Sequence, residues 1–155
     1  MRRTPIKDDE GSWLSDLYRR ERAGLIRVAY LLTNSLSASE EIVQDAFVAL
    51  QTTGSIVAKP GAYLRTSVVN ACRSYHRHRV VVERHPVHVV EARDPQHEEL
   101  FDALNALPWR QQAALVLRFH VDLSESEIAD LLDCRPSTVR SLTRRALATL
   151  RKALT

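Results

Sequence analysis

Aromatic residues make up only 6% of the chain, glycine and proline number 4 and 6 among 155 residues, and no run alternates β-branched with polar residues. Sandwiches, barrels and sheet-based domains draw on those ingredients, so the composition points to an all-α protein. Cysteine occurs twice, at Cys72 and Cys134, far apart and without metal-ligand spacing. That argues against a disulfide scaffold and leaves two buried thiols in a reducing compartment as the expectation. No apolar run approaches the length needed to span a bilayer, and Met1–Gly11 is polar where a secretory leader would be apolar. The expected location is therefore cytoplasmic, with no membrane partner. His76, His78, His85 and His88 invite a metal site. Yet His76 and His78 are two apart on a predicted helix and face different ways, and no thiol or carboxylate completes a set, so neither metal nor cofactor is expected. Nor is there a nucleophile beside a base or a carboxylate cluster, so no catalytic residues are expected and the chain does not read as an enzyme.

What is present is unevenly distributed. The net charge is a modest +3, but residues 36–58 carry Glu40, Glu41 and Asp45 with no basic residue. Arg65, Arg73, Arg77 and Arg79, and later Arg135 to Lys152, form basic segments. A polyanion partner suits those segments better than the surface as a whole.

Leu123 to Leu150 is the most informative stretch. Ser124-Glu125-Ser126-Glu127 fits a capping box, in which a hydroxyl accepts from an orphan N–H and a carboxylate three residues on reaches back. Ile128, Ala129, Leu131 and Leu132 supply an apolar stripe, Asp133-Cys134-Arg135 interrupts it, and Pro136 suits the first turn of a new helix. On that second helix Val139, Leu142, Ala146, Leu150 and Ala153 share one side. Ser137, Arg140, Ser141 and Arg144 project the other way, with Arg135, Thr138 and Arg145 at its margins. Small hydroxyl residues that allow close approach, joined to arginines for phosphates and guanine edges, are what a recognition helix in a major groove requires. The plainer alternative is a solvated basic face on an ordinary helical hairpin.

Ahead of this motif, residues 1–12 read as a flexible tail. Apolar spacing predicts helices over about 13–33, 38–52, with Ser37–Glu40 as a second capping box, and 60–79. On the third helix Leu64, Val68, Ala71, Cys72 and Tyr75 make a buried stripe, with Tyr63, Thr66, Asn70, Arg73 and Arg77 turned away from it. An aromatic, a hydroxyl, an amide and two guanidiniums suit single-stranded nucleic acid; a solvated polar face is the alternative. The Val-rich, proline-bearing segment that follows, residues 81–97, reads as an irregular, flexible linker. Further helices are expected from Glu98 to Leu107 and from Trp109 to Phe119. The expected organisation is a helical domain over 13–80 and a helix-turn-helix domain over 98–155.

Taken together these segments resemble the extracytoplasmic-function group of bacterial sigma factors, in the sigma-70 family. Ala38 to Phe47 resembles the family's acidic helix. Ala62-Tyr63-Leu64-Arg65 with Asn70 resembles its strand-capturing segment. Leu107 to Gln112 resembles the stretch that opens its second domain, and Leu123 to Leu150 resembles its helix-turn-helix signature. Asp133 stands where the family usually has glycine, Tyr63 where tryptophan is commoner, and Ser141 to Leu147 looks closest to actinobacterial members. The resemblance implies an alternative sigma factor that joins core RNA polymerase and directs promoter recognition, minus-10 melting and initiation. It places Glu41, Gln44 and Asp45 on the clamp helices of the polymerase largest subunit. Tyr63, Thr66, Asn70, Arg73 and Arg77 fall on the single-stranded minus-10 element. Arg135, Ser137, Thr138, Arg140, Ser141, Arg144 and Arg145 fall on the minus-35 duplex, and the flap tip meets the apolar side of the second domain. An anti-sigma protein joins the expected partners. The competing reading is a stand-alone helix-turn-helix transcriptional regulator that dimerises through its first domain.

Overall fold

A computed structural model describes residues 6–53, 57–82 and 95–155, with side chains over 11–53, 57–78 and 97–155. Among these residues the regular elements are all α-helices, as the composition predicts. They are α1 (Ile6–Thr33), α2 (Leu36–Thr53), α3 (Pro60–Val82), α4 (Pro95–Ala106), α5 (Trp109–Phe119), α6 (Glu125–Leu132) and α7 (Pro136–Ala153). The chain divides into two compact units, Met1–Cys72 and Arg73–Thr155. The boundary expected near residue 80 lies inside α3. Val81 and Val82 close α3 and Pro95 to His97 open α4, so both ends of the expected linker are helical. Residues 83–94 lie outside the described part, and with them His85, His88 and Val87 to Val90.

The first unit is built on α1 and α2. Val43, Ala46, Phe47 and Leu50 recur at helical spacing and are buried, facing an α1 stripe of Leu17, Leu25, Val28, Ala29 and Leu32. Leu64, Val68, Val69 and Cys72 of α3 are at most 1% exposed. Burying side chains of this size contributes about 1.5–3 kcal/mol each, far more than helix propensity does. The Tyr18 and Phe47 rings meet edge-on at 4.9 Å.

Helix α1 begins at Ile6, ahead of the expected start near residue 13. Only Gly11 in that stretch disfavours a helix, at a cost of about 1 kcal/mol, and the Ser15 hydroxyl donates to its carbonyl at 2.9 Å. Helix α2 also starts earlier than expected. Asn34 adopts a left-handed conformation (φ 55°), which ends α1 and turns the chain within two residues. The cap is therefore Ser35, whose Oγ accepts from the Ala38 N–H at 3.2 Å, and not Ser37. Ser39 is instead fully buried, donating to the Ser35 carbonyl at 2.6 Å and lying 3.2 Å from Thr33 Oγ1.

In the second unit α5 and α6 both pack on α7, and α4 lies against α5 and α7. Leu107, Leu115, Ala146 and Leu150 form one buried cluster, with Ala103, Leu104 and Leu147 against it. Leu117, Ile128, Leu132 and Val139 are at most 1% exposed. The two thiols differ. Cys72 is buried, which pushes its pKa up to about 12, while Cys134 is only half-buried, contrary to expectation, because it sits in the turn between α6 and α7.

That turn is held at both ends of α6. Ser124 Oγ accepts from the Glu127 N–H at 3.1 Å and Glu127 Oε2 accepts from the Ser124 N–H at 2.9 Å, so the predicted capping box is present. At the other end Asp133 is left-handed (φ 53°, ψ 55°). The Ala129 carbonyl accepts from the N–H groups of both Asp133 and Cys134, the latter at 3.0 Å, a closure of the Schellman type. Arg110 reaches from α5 to satisfy the Leu132 carbonyl at 3.2 Å. A β-branched residue tolerates positive φ poorly. Asp133→Val should therefore destabilise the protein by about 1–2 kcal/mol, whereas Asp133→Gly should not destabilise it. Urea unfolding midpoints of the three proteins measure this; equal midpoints for Val and Asp would contradict the strained turn.

Candidate nucleic-acid interface

Helix α7 buries Val139, Ala146 and Leu150, while Leu142 is half-buried and Ala153 exposed, so the apolar stripe is narrower than its spacing predicts. Away from that stripe Ser137, Thr138, Arg140, Arg144 and Arg145 are exposed and Ser141 is half-buried. Arg135, at the N-cap in an extended conformation, is exposed as well, and Pro136 opens the first turn. All seven positions expected to face duplex DNA thus gather at and along the solvent side of one helix.

Arg140 differs from the others. Its Nη2 donates to Glu125 Oε2 at 2.9 Å and its Nε to Glu125 Oε1 at 3.4 Å, a two-point pairing between α7 and the first turn of α6. The pair lies in a groove of about 330 Å³ whose walls also include Arg118, Arg144, Leu147 and Arg151. The groove is thus lined by four arginines and one carboxylate, and of the four, Arg140 pairs with it. The hydrogen bond from Arg140 is the main cause that lowers the Glu125 pKa; desolvation opposes it, and the nearby charges of Arg140 and Arg118 add smaller lowering effects. The Arg140 pKa is raised, first by the same hydrogen bond and then by the carboxylate's charge. Arg118 also donates to the Leu123 carbonyl at 3.2 Å, tying the end of α5 to the approach to α6.

Sequence reading missed this arrangement. Glu125 counted only as part of a cap, although the first-turn residue of α6 is well placed to meet the second turn of α7. Arg151 continues the spacing of Arg140, Arg144 and Leu147 by one more turn and was legible in that sense.

On α3, Tyr63 and Arg73 are half-buried and Thr66, Asn70 and Arg77 exposed, opposite Leu64, Val68 and Cys72. Tyr63, Thr66 and Asn70 belong to the first unit and Arg73 and Arg77 to the second. On α2, Glu41, Gln44 and Asp45 are exposed on one side with Glu40 beside them. Val48, 50% exposed, extends that acidic stripe by an apolar residue. Among the described residues no three His, Cys, Asp or Glu side chains converge as metal ligands, and no helix is long and apolar enough to cross a membrane.

The family model described as "Sigma-70 region 2" matches residues 17–80, and that described as "Sigma-70, region 4" matches residues 97–150. The chain belongs to the sigma-70 family. This sigma factor is 30% identical over 146 residues to the RNA polymerase sigma-E factor of Streptomyces avermitilis, covering 88% of this chain and 82% of that protein. It is 36% identical over 100 residues to the RNA polymerase sigma-E factor of Streptomyces antibioticus, covering 60% of this chain and 56% of that protein. In fold it is similar to the sigma factor RpoE of Bartonella quintana, solved with the anti-sigma factor NepR, at TM-score 0.69 and 23% identity over 90% of this chain and 96% of that one. It is also similar to the extracytoplasmic function sigma factor SigJ of Mycobacterium tuberculosis, at TM-score 0.69 and 24% identity over 88% of this chain and 53% of that one.

The electrostatics of the groove in this sigma factor carry a pH signature. A carboxylate whose folded pKa is depressed contributes stability above its ordinary value and loses it as pH falls through the folded value. Glu125 should therefore titrate below its ordinary 4.5. In Arg140→Ala it should return towards 4.5. Carboxyl-carbon NMR titration distinguishes the two; an unchanged Glu125 curve in the variant would show that the pair does not form in solution.

Proposed function

We propose that the chain is an alternative sigma factor that joins core RNA polymerase and directs it to a set of promoters. The observation that carries this is the presence of region 2 and region 4 in one chain, with an acidic stripe, a mixed stacking face and a basic recognition face exposed on them. Core binding falls to Glu41, Gln44 and Asp45 on α2, opposite basic surface on the polymerase clamp helices, with the flap tip on apolar surface of the second unit. Tyr63, Thr66, Asn70, Arg73 and Arg77 on α3 hold the single-stranded minus-10 element by stacking, amide hydrogen bonds and phosphate pairing. Arg135, Ser137, Thr138, Arg140, Ser141, Arg144 and Arg145 read the minus-35 element as duplex. The site of action is the cytoplasm, where core polymerase and promoter DNA are found. A fold neighbour solved with an anti-sigma factor supports an anti-sigma protein as a further partner. A stand-alone regulator is disfavoured, because it has no use for a region 2 unit with an exposed acidic helix.

Purified protein mixed with core enzyme should form a holoenzyme in a pull-down and give run-off transcripts from genomic promoter fragments. Failure to form holoenzyme would refute the reading. The two DNA surfaces separate by mutation. Arg144→Ala should weaken binding to minus-35 duplex by roughly ten-fold if a base edge is read, or lower the salt slope by about one if a phosphate is held. Asn70→Ala should leave duplex affinity intact and reduce open-complex formation, read by permanganate reactivity of the melted strand. Equal loss of duplex affinity from both substitutions would count against the division of labour.

A further inference from the structure

The pairing of Glu125 with Arg140 calls for an account beyond stability. Arg140 is exposed and Glu125 half-buried, with side-chain exposures of 69% and 33%, and an ion pair this open to solvent adds little to folding. Its effect is on orientation. Glu125 sits at the start of α6, where the Ser124–Glu127 capping box fixes the backbone independently of Glu125 itself. A carboxylate there is favoured by the helix dipole, and Arg118 lines the same groove. The carboxylate is thus a fixed post. It takes the Nε–Nη2 edge of the Arg140 guanidinium, at 3.4 and 2.9 Å.

An arginine has a second fork. With the Nε–Nη2 edge occupied, the outer Nη1–Nη2 edge still offers two parallel N–H donors. Two parallel donors match the O6 and N7 acceptors of guanine in the major groove. A phosphate can be reached by a mobile arginine from many directions, but a base edge demands one. Arg144, Arg145 and Arg151 form no ion pair among the described residues, and their freedom suits the phosphate backbone. Arg140 is already aimed. The carboxylate also sets a negative charge beside a polyanion, which opposes non-specific binding and so sharpens discrimination.

We propose that Glu125 is a positioning residue for sequence readout, holding Arg140 so that its outer edge reads one guanine of the duplex bound by α7. This rests on the reading of α7 as the duplex-binding helix. The test uses holoenzyme and a preferred minus-35 duplex obtained by selection from a randomised library. Affinities are then measured for that duplex, for every single base-pair substitution in it, and for random duplex, with the wild type, Glu125→Gln, Arg140→Ala and Arg144→Ala.

In the wild type, replacing one particular G·C pair should cost about ten-fold or more. Arg140→Ala should abolish that preference. Glu125→Gln should reduce it several-fold at the same position, leave preferences elsewhere unchanged, and raise affinity for random duplex. Arg144→Ala should leave the preference at that pair intact. Because Glu127 and not Glu125 closes the capping box, Glu125→Gln should fold, and Arg140→Ala probes the same base pair independently. If Glu125→Gln shifts all duplexes by one common factor, Glu125 acts as a bare charge and the proposal is overturned. If the wild type has no preference at any position, duplex reading by α7 fails first and takes the proposal with it.

Discussion

The C-terminal end of α6 is where the second unit is decided. Four carbonyls at the end of any helix lack partners, and here they lie next to a turn that must redirect the chain within three residues. The left-handed Asp133 allows the Ala129 carbonyl to accept two N–H groups, and Arg110 supplies a donor for Leu132 from a third helix. Once that corner is closed, the angle between α6 and α7 is set. Val139 is then buried on the side of α7 that packs on α5 and α6, and the arginines on the other side face solvent. The contact between Glu125 and Arg140, fifteen residues apart, exists only because of the same corner.

Much of this was legible in the residues. Pro108 and Pro136 mark the starts of α5 and α7 because a proline at or before the first turn costs no hydrogen bond, and both helices begin where expected. The exposed α2 face follows from helical spacing, but on α3 Ala71 and Tyr75, expected in the buried stripe, are half-buried, and Val69, not expected there, is buried. The start of α2 was not legible in this way, since Ser35 and Ser37 are equally good caps on paper. What chose Ser35 was the positive φ of Asn34, and composition carries that only as a tolerance. Spacing overstated the α7 stripe for a related reason. Leu142 and Ala153 lie near its edges, where burial depends on neighbouring helices and not on period. The Glu125–Arg140 pair was invisible to local rules, which see partners three or four residues apart.

Charge is segregated as strictly as hydrophobicity. The acidic residues of α2 carry no neighbouring cation in sequence, and nothing acidic follows Asp133. A chain with a net charge of only +3 can therefore present opposite signs on separate faces, neither of them diluted by the average. Glu125 departs from this pattern, a carboxylate that pairs with Arg140 in a groove otherwise lined by arginines and uncharged residues.

The contrast between the two thiols has a practical side. Thiolate is the reactive form, and with its pKa at about 12 buried Cys72 holds almost none at neutral pH. Cys134 is half-buried in the corner between α6 and α7. A thiol-directed dye applied to the native protein would therefore attach beside the start of α7 and leave Cys72 in the first unit unmarked. The unaltered chain thus carries its own attachment point for an optical reporter beside α7.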